Sequence, residues 1–590
     1  MILSKVVRSG VLVGLLSAAA LYLGGAAHAQ QVSSPALILP PLDSALAENI
    51  EAHLEILKQG CDVSLVRVQR LLPQAREQLK DALEALGYYH GKYALRVTRA
   101  EAEQQCWQLE VDLEPGPQVL LGEVQIRVVG DPETQALFAD TIREGGLASG
   151  TPLHHGRYED LKSALSSQAA DEGYFDARFE RSEIALDLVD DHADIALVFN
   201  PGTRYRFGAI SLTRPTYLSD ALIDDLMAIH PGDPYSSSAL ADLRRNLDMS
   251  QYFREIRVTP AIGQSADRQI PVAVELQLRA RHAWTGGLGF TTDTGPRARF
   301  SYENRYVNRR GHRFRVDSTL SSVRSQVDGA YTIPLSGDVS RKLVLSSGYN
   351  VEDTDSYKSK RLQSAVTVTN ETDSGWQQSA FLELLRDDYE VGSEDEVSLL
   401  LMPGVSLSKT SADDIINPRR GWKLFSSLRV ASESVISDTT FAQLYGSAKY
   451  IHSFGRARVL TRAEGASTWI GDVAHLPASL RYFTGGDQSI RGYDFRELGP
   501  LNAEHTEVVG GRHLLVGSIE MDYRILDSWR VAVFTDAGNA FNTTNDLHFK
   551  RSAGIGVRWL SPIGPIRIDL AHPFDGEDSV RLHITMGPDL

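Results

Sequence analysis

The sequence is poor in cysteine, because only Cys61 and Cys106 occur among its 590 residues. Two thiols are too few to close a tetrahedral metal site, and neither belongs to a CxxC motif. The pair His154-His155 has no acidic or thiol residues beside it that could act as further ligands. It is therefore more typical of a protein surface than of a metal site. We therefore expect no metal and no other cofactor. In an exported chain the two cysteines most simply form one disulfide.

The sequence also lacks an excess of positive charge and the common catalytic motifs. Its formal net charge is −16, from 76 acidic and 60 basic residues, and no basic stretch is present to neutralise nucleic-acid phosphates. HExxH, GxSxG, P-loop and dinucleotide-binding patterns are absent. The glycine-rich stretch at 286–289 begins a predicted strand instead of joining a strand to a helix. The sequence therefore predicts neither a nucleic-acid partner nor an enzyme.

Long apolar runs are missing except at the N-terminus. There, Lys5 and Arg8 precede an apolar run over 11–23, and an Ala-His-Ala tripeptide at 27–29 follows it. Charged, apolar and small residues in that order indicate a secretory signal peptide, which we predict over residues 1–29. The alternative is a retained membrane helix, but the run is short for spanning a bilayer.

A repeated pattern occupies the N-terminal half. Three similar segments begin at Gly87 (GYYHGKYALRV), Gly173 (GYFDARFERSE) and Gln251 (QYFREIRVTP). Each follows a helix-period pattern and precedes strand-like alternation. Pro-Gly pairs at 115–116 and 201–202 keep one spacing from the first two segments, which indicates true repeats. We predict three β-α-α-β-β modules, a split α+β arrangement. The predicted modules cover residues 36–116, 117–203 and 204–280.

The C-terminal half alternates between apolar and polar residues with the period of a strand. Between Leu515 and Ile525, for example, apolar residues occupy one face and charged residues the other. A soluble sandwich has the same period, but here the polar faces carry several charges each and aromatic residues lie near the ends of the apolar bands. This pattern is typical of an outer-membrane barrel with a wet, charged lumen. At roughly 19 residues per strand and turn, residues 281–590 predict an antiparallel transmembrane β-barrel of about 16 strands.

One glycine-rich segment near the C-terminus is too apolar for a surface turn. Residues 483–500 read FTGGDQSIRGYDFRELGP and include Ile490, Tyr493 and Phe495, so we expect a loop packed inside the barrel. This IRGY loop, the VFTDAGNAF segment at 533–541, the export signal, the three modules and the barrel together resemble the BamA-like superfamily of outer-membrane assembly and translocation proteins. Within it the chain is most similar to the TamA-like members, whose modules are called POTRA domains.

The resemblance assigns a role to the IRGY loop. It implies that Arg491, Gly492 and Tyr493 anchor the loop in the lumen, with Glu520 and Asp536 on the strand wall as partners of the arginine. The alternation supports this placement independently, because both carboxylates fall on faces predicted to point inward. An arginine that bonds two carboxylates gains charge-assisted hydrogen bonds of fixed geometry.

The resemblance also implies a weak lateral seam where the first and last strands meet. We expect these strands at 283–290 and 580–586, and glycine and proline weaken regular pairing there. The predicted seam residues are Gly286, Gly287, Gly289, Ile584, Met586 and Gly587.

These expectations together predict an outer-membrane insertase. As the resemblance implies, periplasmic POTRA domains receive unfolded clients such as autotransporters, and the seam opens sideways to release them into outer-membrane lipid. A TamB-like inner-membrane-anchored subunit is the implied partner. One alternative is a two-partner-secretion-type pore for a dedicated client, although those relatives usually have two POTRA domains and a plug helix. A barrel fused to a patatin-like hydrolase would need the missing GxSxG, and a passive porin leaves the repeats unexplained.

Overall fold

A computed structural model describes the chain in eight segments. They are residues 34–99, 105–213, 217–335, 340–372, 374–414, 417–561, 564–575 and 580–586. The predicted signal peptide and the seam residue Gly587 lie outside the described residues. The chain divides into two compact units, Met1–Tyr205 with Pro234–Ser236, and Arg206–Asp233 with Ser237–Leu590. In the described segments, no helix has the length and apolar character needed to cross a membrane.

The first module packs helices against a three-stranded sheet. Its sheet has the order β1-β3-β2, in which β3 is parallel to β1 and antiparallel to β2. A disulfide joins Cys61, which lies just before the second helix, to Cys106 on the central strand, with their Cα atoms 5.5 Å apart. The elements are β1 (Ser34–Ile38), α1 (Ser44–His53), α2 (Leu65–Gln69), α3 (Leu72–Ala85), β2 (Lys92–Arg99) and β3 (Gln105–Glu114).

The second and third modules repeat this plan, each with its last strand in the centre of the sheet. The second comprises β4 (Leu120–Val128), α4 (Pro132–Glu144), α5 (His155–Asp171), β5 (Arg178–Asp187) and β6 (His192–Asn200). The third comprises β7 (Arg206–Thr213), α6 (Asp220–Leu226), α7 (Ser237–Met249), β8 (Phe253–Pro260) and β9 (Gln269–Leu278). The prediction of three β-α-α-β-β modules is confirmed.

The repeated Gly-aromatic signature marks the end of a helix. After α3, Gly87 adopts a φ of +85°, and the Tyr88 N–H donates to the Leu83 carbonyl at 3.0 Å. After α5, Gly173 adopts a φ of +83°, and the next N–H donates in the same way to the Ala169 carbonyl. This is a Schellman motif, in which a left-handed glycine lets the chain leave the helix and satisfies its last carbonyls. The motif therefore places an aromatic residue against the core of each of the first two modules, whereas the third module has Gln251, with a φ of +56°, at the glycine position.

The two adjacent histidines of the sequence have structural roles in the second module. The His154 ring caps α5 by accepting the Arg157 N–H at 3.3 Å, and the His155 Nε2 lies 2.6 Å from the Tyr89 hydroxyl. Burial lowers the pKa of His155. Both rings are half-buried, so the expected surface location holds only in part.

The C-terminal half forms a single sheet of 16 antiparallel strands paired in chain order, as predicted. The strands are β10 (His282–Thr291), β11 (Gly295–Asn304), β12 (Arg313–Ser321), β13 (Arg324–Pro334), β14 (Lys342–Asp353), β15 (Tyr357–Glu371), β16 (Gln377–Val391), β17 (Glu394–Ala412), β18 (Arg420–Ala431), β19 (Phe441–Phe454), β20 (Ala457–Ile470), β21 (His513–Leu526), β22 (Trp529–Phe541), β23 (Lys550–Ser561), β24 (Gly564–Pro573) and β25 (Arg581–Met586).

Strands β14 to β23 are all longer than the roughly 9–11 residues expected for a tilted strand that spans a bilayer. Strands β15, β16 and β17 contain 15, 15 and 19 residues. The expected length is therefore wrong for these strands. In the longest hairpin, β16–β17, the strands continue past the apolar band to a region where Asp388 and Glu390 are exposed. Such carboxylates are stable only in water, so this hairpin extends beyond the lipid.

The outer face of the barrel has an apolar band with an aromatic girdle at one end. Side chains such as Leu384, Ile519, Val533 and Ile555 are exposed on it, which is stable only against lipid. The girdle lies at the end where β10 leaves the third module, because its members cluster near the starts of even-numbered strands and the ends of odd-numbered ones. The girdle residues are Trp376, Trp422, Tyr450, Tyr523, Trp529 and Trp559.

Candidate functional site

A long loop between β20 and β21, residues 471–512, folds back into the barrel. Its apolar side chains are buried rather than exposed to solvent. They include Leu476, Leu480, Ile490, Tyr493 and Leu498. Burial of these side chains against the inner wall explains why the segment is too apolar for a surface turn. We call residues 471–512 the lumen loop.

Arg491 binds both of the carboxylates that the family resemblance implies as its partners. Its Nε and Nη2 donate to the two oxygens of Asp536 at 2.8 and 2.9 Å, and its Nη1 donates to Glu520 Oε2 at 2.8 Å. The Arg491 backbone N–H adds a bond to Asp536 at 3.1 Å. The guanidinium also lies over the Phe534 ring, 3.4 Å from its centroid, in a cation–π contact.

Two further charged residues, which were not among the predicted site residues, complete the cluster. Arg558 on β23 donates through Nε to Glu520 Oε1 at 2.9 Å and through Nη1 to Asp569 Oδ1 at 2.6 Å. Asp569 on β24 also accepts from Arg491 Nη1 at 3.1 Å. Three carboxylates and two guanidinium groups therefore form one network across β21 to β24. We call Arg491, Glu520, Asp536, Arg558 and Asp569 the anchor cluster.

The inward direction of Arg558 and Asp569 could have been predicted from the strand alternation. The neighbours of Arg558 and Asp569, such as Val557 and Ile568, face lipid, so the charged residues between them must face the lumen. Gly556 supplies the space they need, because a Cβ at this position would overlap the Asp569 carboxylate and the Arg558 guanidinium. The glycine is therefore part of the cluster's geometry.

The anchor cluster is almost fully withdrawn from solvent. Arg491 is 6% exposed, Glu520 is 7% exposed and Asp536 is fully buried. Removing one member of a buried ion network leaves an uncompensated charge, which typically destabilises a protein by about 3–5 kcal/mol. The cluster thus fixes the lumen loop firmly to the β21–β24 wall.

Gly492 and Tyr493 extend the attachment from this wall toward the last strand. Gly492 has a φ of +97°, and a Cβ there would lie 3.1 Å from the Pro573 nitrogen, so only glycine fits. Its N–H donates to the His583 Nε2 on β25 at 2.8 Å. Tyr493 is buried, and its hydroxyl lies 3.4 Å from the Arg551 carbonyl.

The two edges of the sheet, β10 and β25, meet over a short stretch without a ladder among the described residues. The Thr292 N–H donates to the Ile584 carbonyl at 3.3 Å, and the Ile584 N–H donates to Thr292 Oγ1 at 3.1 Å. Near this point, Arg297 Nη2 lies 3.5 Å from the Met586 carbonyl. We call this contact between β10 and β25 the seam.

The predicted seam glycines differ in their surroundings. At Gly286 and Gly287 an added Cβ would meet no atom within 4 Å, whereas at Gly289 it would lie 2.8 Å from the Arg297 Nε. Packing therefore does not require the first two glycines. Ile584 and Met586 lie on β25 at the contact itself.

Comparison with known families identifies two domains in the chain. Residues 307–588 match the Omp85 superfamily domain, and residues 38–115 match the first POTRA domain of TamA. These ranges correspond to most of the barrel and to the first module.

Curated relatives of the chain include two outer membrane protein assembly factors named BamA. The one from Nitratidesulfovibrio vulgaris is 21% identical over 447 residues, covering 72% of this chain and 56% of that protein. The one from Neorickettsia risticii is 22% identical over 416 residues, covering 62% of this chain and 52% of that protein. The chain thus spans about half the length of the curated relatives it matches.

A solved structure shares the fold. The crystal structure of BamA from Haemophilus ducreyi lacking POTRA domains 1-3 superposes with a TM-score of 0.61 at 16% identity, covering 80% of this chain and 99% of that one. At this identity the similarity concerns the fold, which is a set of POTRA-like modules followed by a 16-stranded barrel.

Proposed function

The chain belongs to the TamA/BamA-like Omp85 superfamily, and from this premise we propose that it inserts other β-rich proteins into the outer membrane. Its barrel lies in the outer membrane and its POTRA domains lie in the periplasm. Within the superfamily we assign it to the TamA type, as the outer-membrane subunit of a translocation and assembly module. The match of its first module to the TamA-type POTRA domain supports this assignment.

The seam is the observation that carries the proposal. In lipid, every backbone N–H and carbonyl must find a partner within protein, and most strands of this barrel obtain one on each side. Strand β10, in contrast, forms no ladder with β25 among the described residues, and the hydrogen bonds there join Thr292, just after the end of β10, to Ile584. An edge with unpaired backbone groups can accept an incoming strand by β-augmentation.

The proposed clients are autotransporters and similar outer-membrane proteins, which arrive unfolded. The proposed partner is a TamB-like subunit anchored in the inner membrane. In this mechanism the protein is not an enzyme, because pairing of client strands with the seam and their transfer into lipid need no covalent chemistry. The free energy comes from backbone pairing and from burial of the client's apolar face in the bilayer.

The proposal is tested by closing the seam covalently. A cysteine pair at Thr291 and Thr585 lies next to the hydrogen-bonded positions and would join β10 to β25. A matched control pair at Ala330 and Ser346 joins strands that already face each other in a ladder. We expect the seam pair, when oxidised, to stop autotransporter assembly in cells while the barrel keeps its heat-modifiable mobility on gels. Reduction is expected to restore assembly.

The control pair is expected to support assembly in both redox states. Full assembly activity with the seam pair completely oxidised would contradict the proposed mechanism. Loss of assembly in the control pair as well would show that the disulfide itself, rather than its position, is harmful.

A further inference from the structure

Asp487 in the lumen loop contacts both edge strands of the barrel. Its Oδ1 accepts a hydrogen bond from the Thr292 hydroxyl, at the end of β10, at 2.7 Å. The same oxygen lies 2.6 Å from the Nδ1 of His583 on β25. These partners are 195 and 96 positions away in the sequence. One buried carboxylate therefore bridges the two strands that form the seam.

The hydrogen bonds around His583 determine which of its ring nitrogens carries the proton. Gly492 donates its N–H to His583 Nε2 at 2.8 Å, so Nε2 must be an acceptor. Nδ1 therefore carries the hydrogen and donates it to Asp487. A continuous chain of hydrogen bonds thus connects Gly492, next to Arg491, through His583 and Asp487 to Thr292. His583 and Asp487 are both buried, which strengthens such bonds.

The turn after β10 holds the same part of the lumen loop from the other side. The Asp487 N–H donates to Asp293 Oδ2 at 2.8 Å, and the Asp293 N–H lies 3.4 Å from Asp487 Oδ2. Gly486 allows this approach, because its φ is +102° and a Cβ there would lie 2.6 Å from the Asp293 carboxylate. The loop is therefore shaped to fit against the turn.

A metal ion is the rival explanation for this cluster. Ligand atoms of Asp293, Asp487 and His583 all lie within 4.8 Å of one another. However, the 2.6 Å separation between His583 Nδ1 and Asp487 Oδ1 is a hydrogen-bond length and is shorter than the spacing of two ligands around zinc, which lie about 2.0 Å from the metal at tetrahedral angles. His583 Nε2 is also occupied by the Gly492 N–H. The geometry thus fits a hydrogen-bonded bridge better than a metal site.

We propose that Asp487 is a seam-positioning residue, which makes closure of the seam depend on the seating of the lumen loop. This inference rests on the proposed function, because it concerns the gate through which clients would leave. When the loop is seated, Asp487 holds Thr292 and His583 together. When the loop is drawn away from the seam, both edge strands lose the same partner at once, and β10 becomes available for pairing with a client strand.

The seam can be measured without any client. Spin labels on the lipid-facing residues Leu288 of β10 and Leu582 of β25 report the distance between the two edges by pulsed electron resonance, in the purified full-length protein in nanodiscs. We expect a narrow distribution in the parent protein. In Asp487→Ala the population at longer distances should rise at least threefold. The matched control is Gln488→Ala, the exposed neighbouring residue, which should leave the distribution unchanged.

Further variants keep the test decisive. Thr292→Val keeps the side-chain shape but removes the hydroxyl that contacts both Asp487 and the Ile584 N–H, so it should also broaden the distribution. If Asp487→Ala does not fold, as judged by heat-modifiable mobility, Asp487→Ser decides the question, because its short side chain cannot reach Thr292 and His583 together while the direct bonds between Thr292 and Ile584 remain. An unchanged distribution in a folded variant would overturn the proposal. Broadening of the parent distribution by EDTA would also overturn it, because a metal would then hold the seam.

The client assay separates this proposal from the proposed function. Suppose that the distance distribution broadens in Asp487→Ala, but the oxidised cysteine pair at the seam still assembles clients normally. This result would support the positioning role of Asp487 and contradict the lateral release of clients through the seam. An unchanged seam together with blocked assembly in the oxidised seam pair would contradict only the role of Asp487.

Discussion

The two sides of the barrel hold the lumen loop by different means. On the β21–β24 side, Arg491 enters a buried network of charged groups and makes bonds to three carboxylates. On the β10–β25 side, Asp487 accepts hydrogen bonds from the Thr292 hydroxyl and from a neutral His583. Arg581 of β25 also pairs with the loop carboxylates of Asp494 and Glu497, which are partly exposed. Removing a member of a buried ion network costs about 3–5 kcal/mol. A hydrogen bond to a charged group contributes about 1.5–3 kcal/mol, and a partly exposed ion pair about 0–1 kcal/mol. The seam side should therefore open first, while the loop stays attached to the opposite wall.

The largest effect is expected from reversing the charge at the centre of the anchor cluster. Arg491→Glu places a fourth carboxylate among three, so we expect the folded barrel to lose about 3–5 kcal/mol or fail to form. Heat-modifiable mobility on gels measures the folded fraction, and Asp536→Arg in the same chain should restore part of it. Arg386→Glu, an exposed arginine on β16, is the matched control. Unchanged mobility in Arg491→Glu would contradict the claim that Arg491 anchors the lumen loop to the barrel wall.

A smaller change on the same wall removes one charge and keeps the shape. Asp536→Asn leaves the Arg491 guanidinium with one neutral amide in place of a bidentate carboxylate, so we expect a loss of about 1.5–3 kcal/mol. Urea titration of the refolded barrel, followed by tryptophan fluorescence, measures this difference. A stability equal to that of the parent protein would show that the charge of Asp536 does not hold the loop.

The space that Gly556 leaves for the anchor cluster can be filled. Gly556→Ala forces the Asp569 carboxylate away from Arg558, and overpacking of this kind costs about 1–3 kcal/mol. Gly517→Ala on β21 is the control, because a Cβ there would meet its nearest atom, the Arg462 carbonyl oxygen, at 4.0 Å. Equal stability of the two alanine variants would contradict the requirement for glycine at position 556.

The smallest effect on overall stability is expected at the seam. In Asp487→Asn the amide oxygen still accepts from Thr292 and His583, but the charge and one acceptor are lost. We expect a loss of about 0.5–1.5 kcal/mol in the same urea titration. A loss larger than that of Asp536→Asn would reverse the comparison between the two sides of the barrel.

The contacts on the β21–β24 wall, which we call the anchor wall, can be predicted from the sequence better than those at the seam. The reason is physical. Strand alternation has a fixed period, so the inward direction of Glu520 and Asp536 can be inferred from their apolar neighbours alone. The same rule also predicts an inward direction for Arg558 and Asp569, because their neighbours Val557 and Ile568 are apolar. The module order and the strand number follow from periodicity in the same way.

The contacts of Asp487 could not be inferred by such a rule. They depend on the path of an irregular loop, and they join residues that are far apart in the chain and belong to different strands. Gly486 is compatible with several backbone conformations, so the sequence does not predict which one the loop adopts. Only the folded structure shows that Gly486 lies against Asp293. The same holds for the pairing of Thr292 with Ile584, since β10 and β25, as far as the structure describes them, share no ladder that would fix their register.

The central claim is that the barrel opens locally more readily at the seam than at the anchor wall. Hydrogen exchange of the purified protein in nanodiscs, measured by mass spectrometry, tests this claim most directly. Amides open locally with free energies that reflect the interactions around them. We predict that peptides covering 282–291 and 581–586 exchange at least tenfold faster than peptides covering β21 to β24. Equal protection of the two sides, or faster exchange at the anchor wall, would contradict the account.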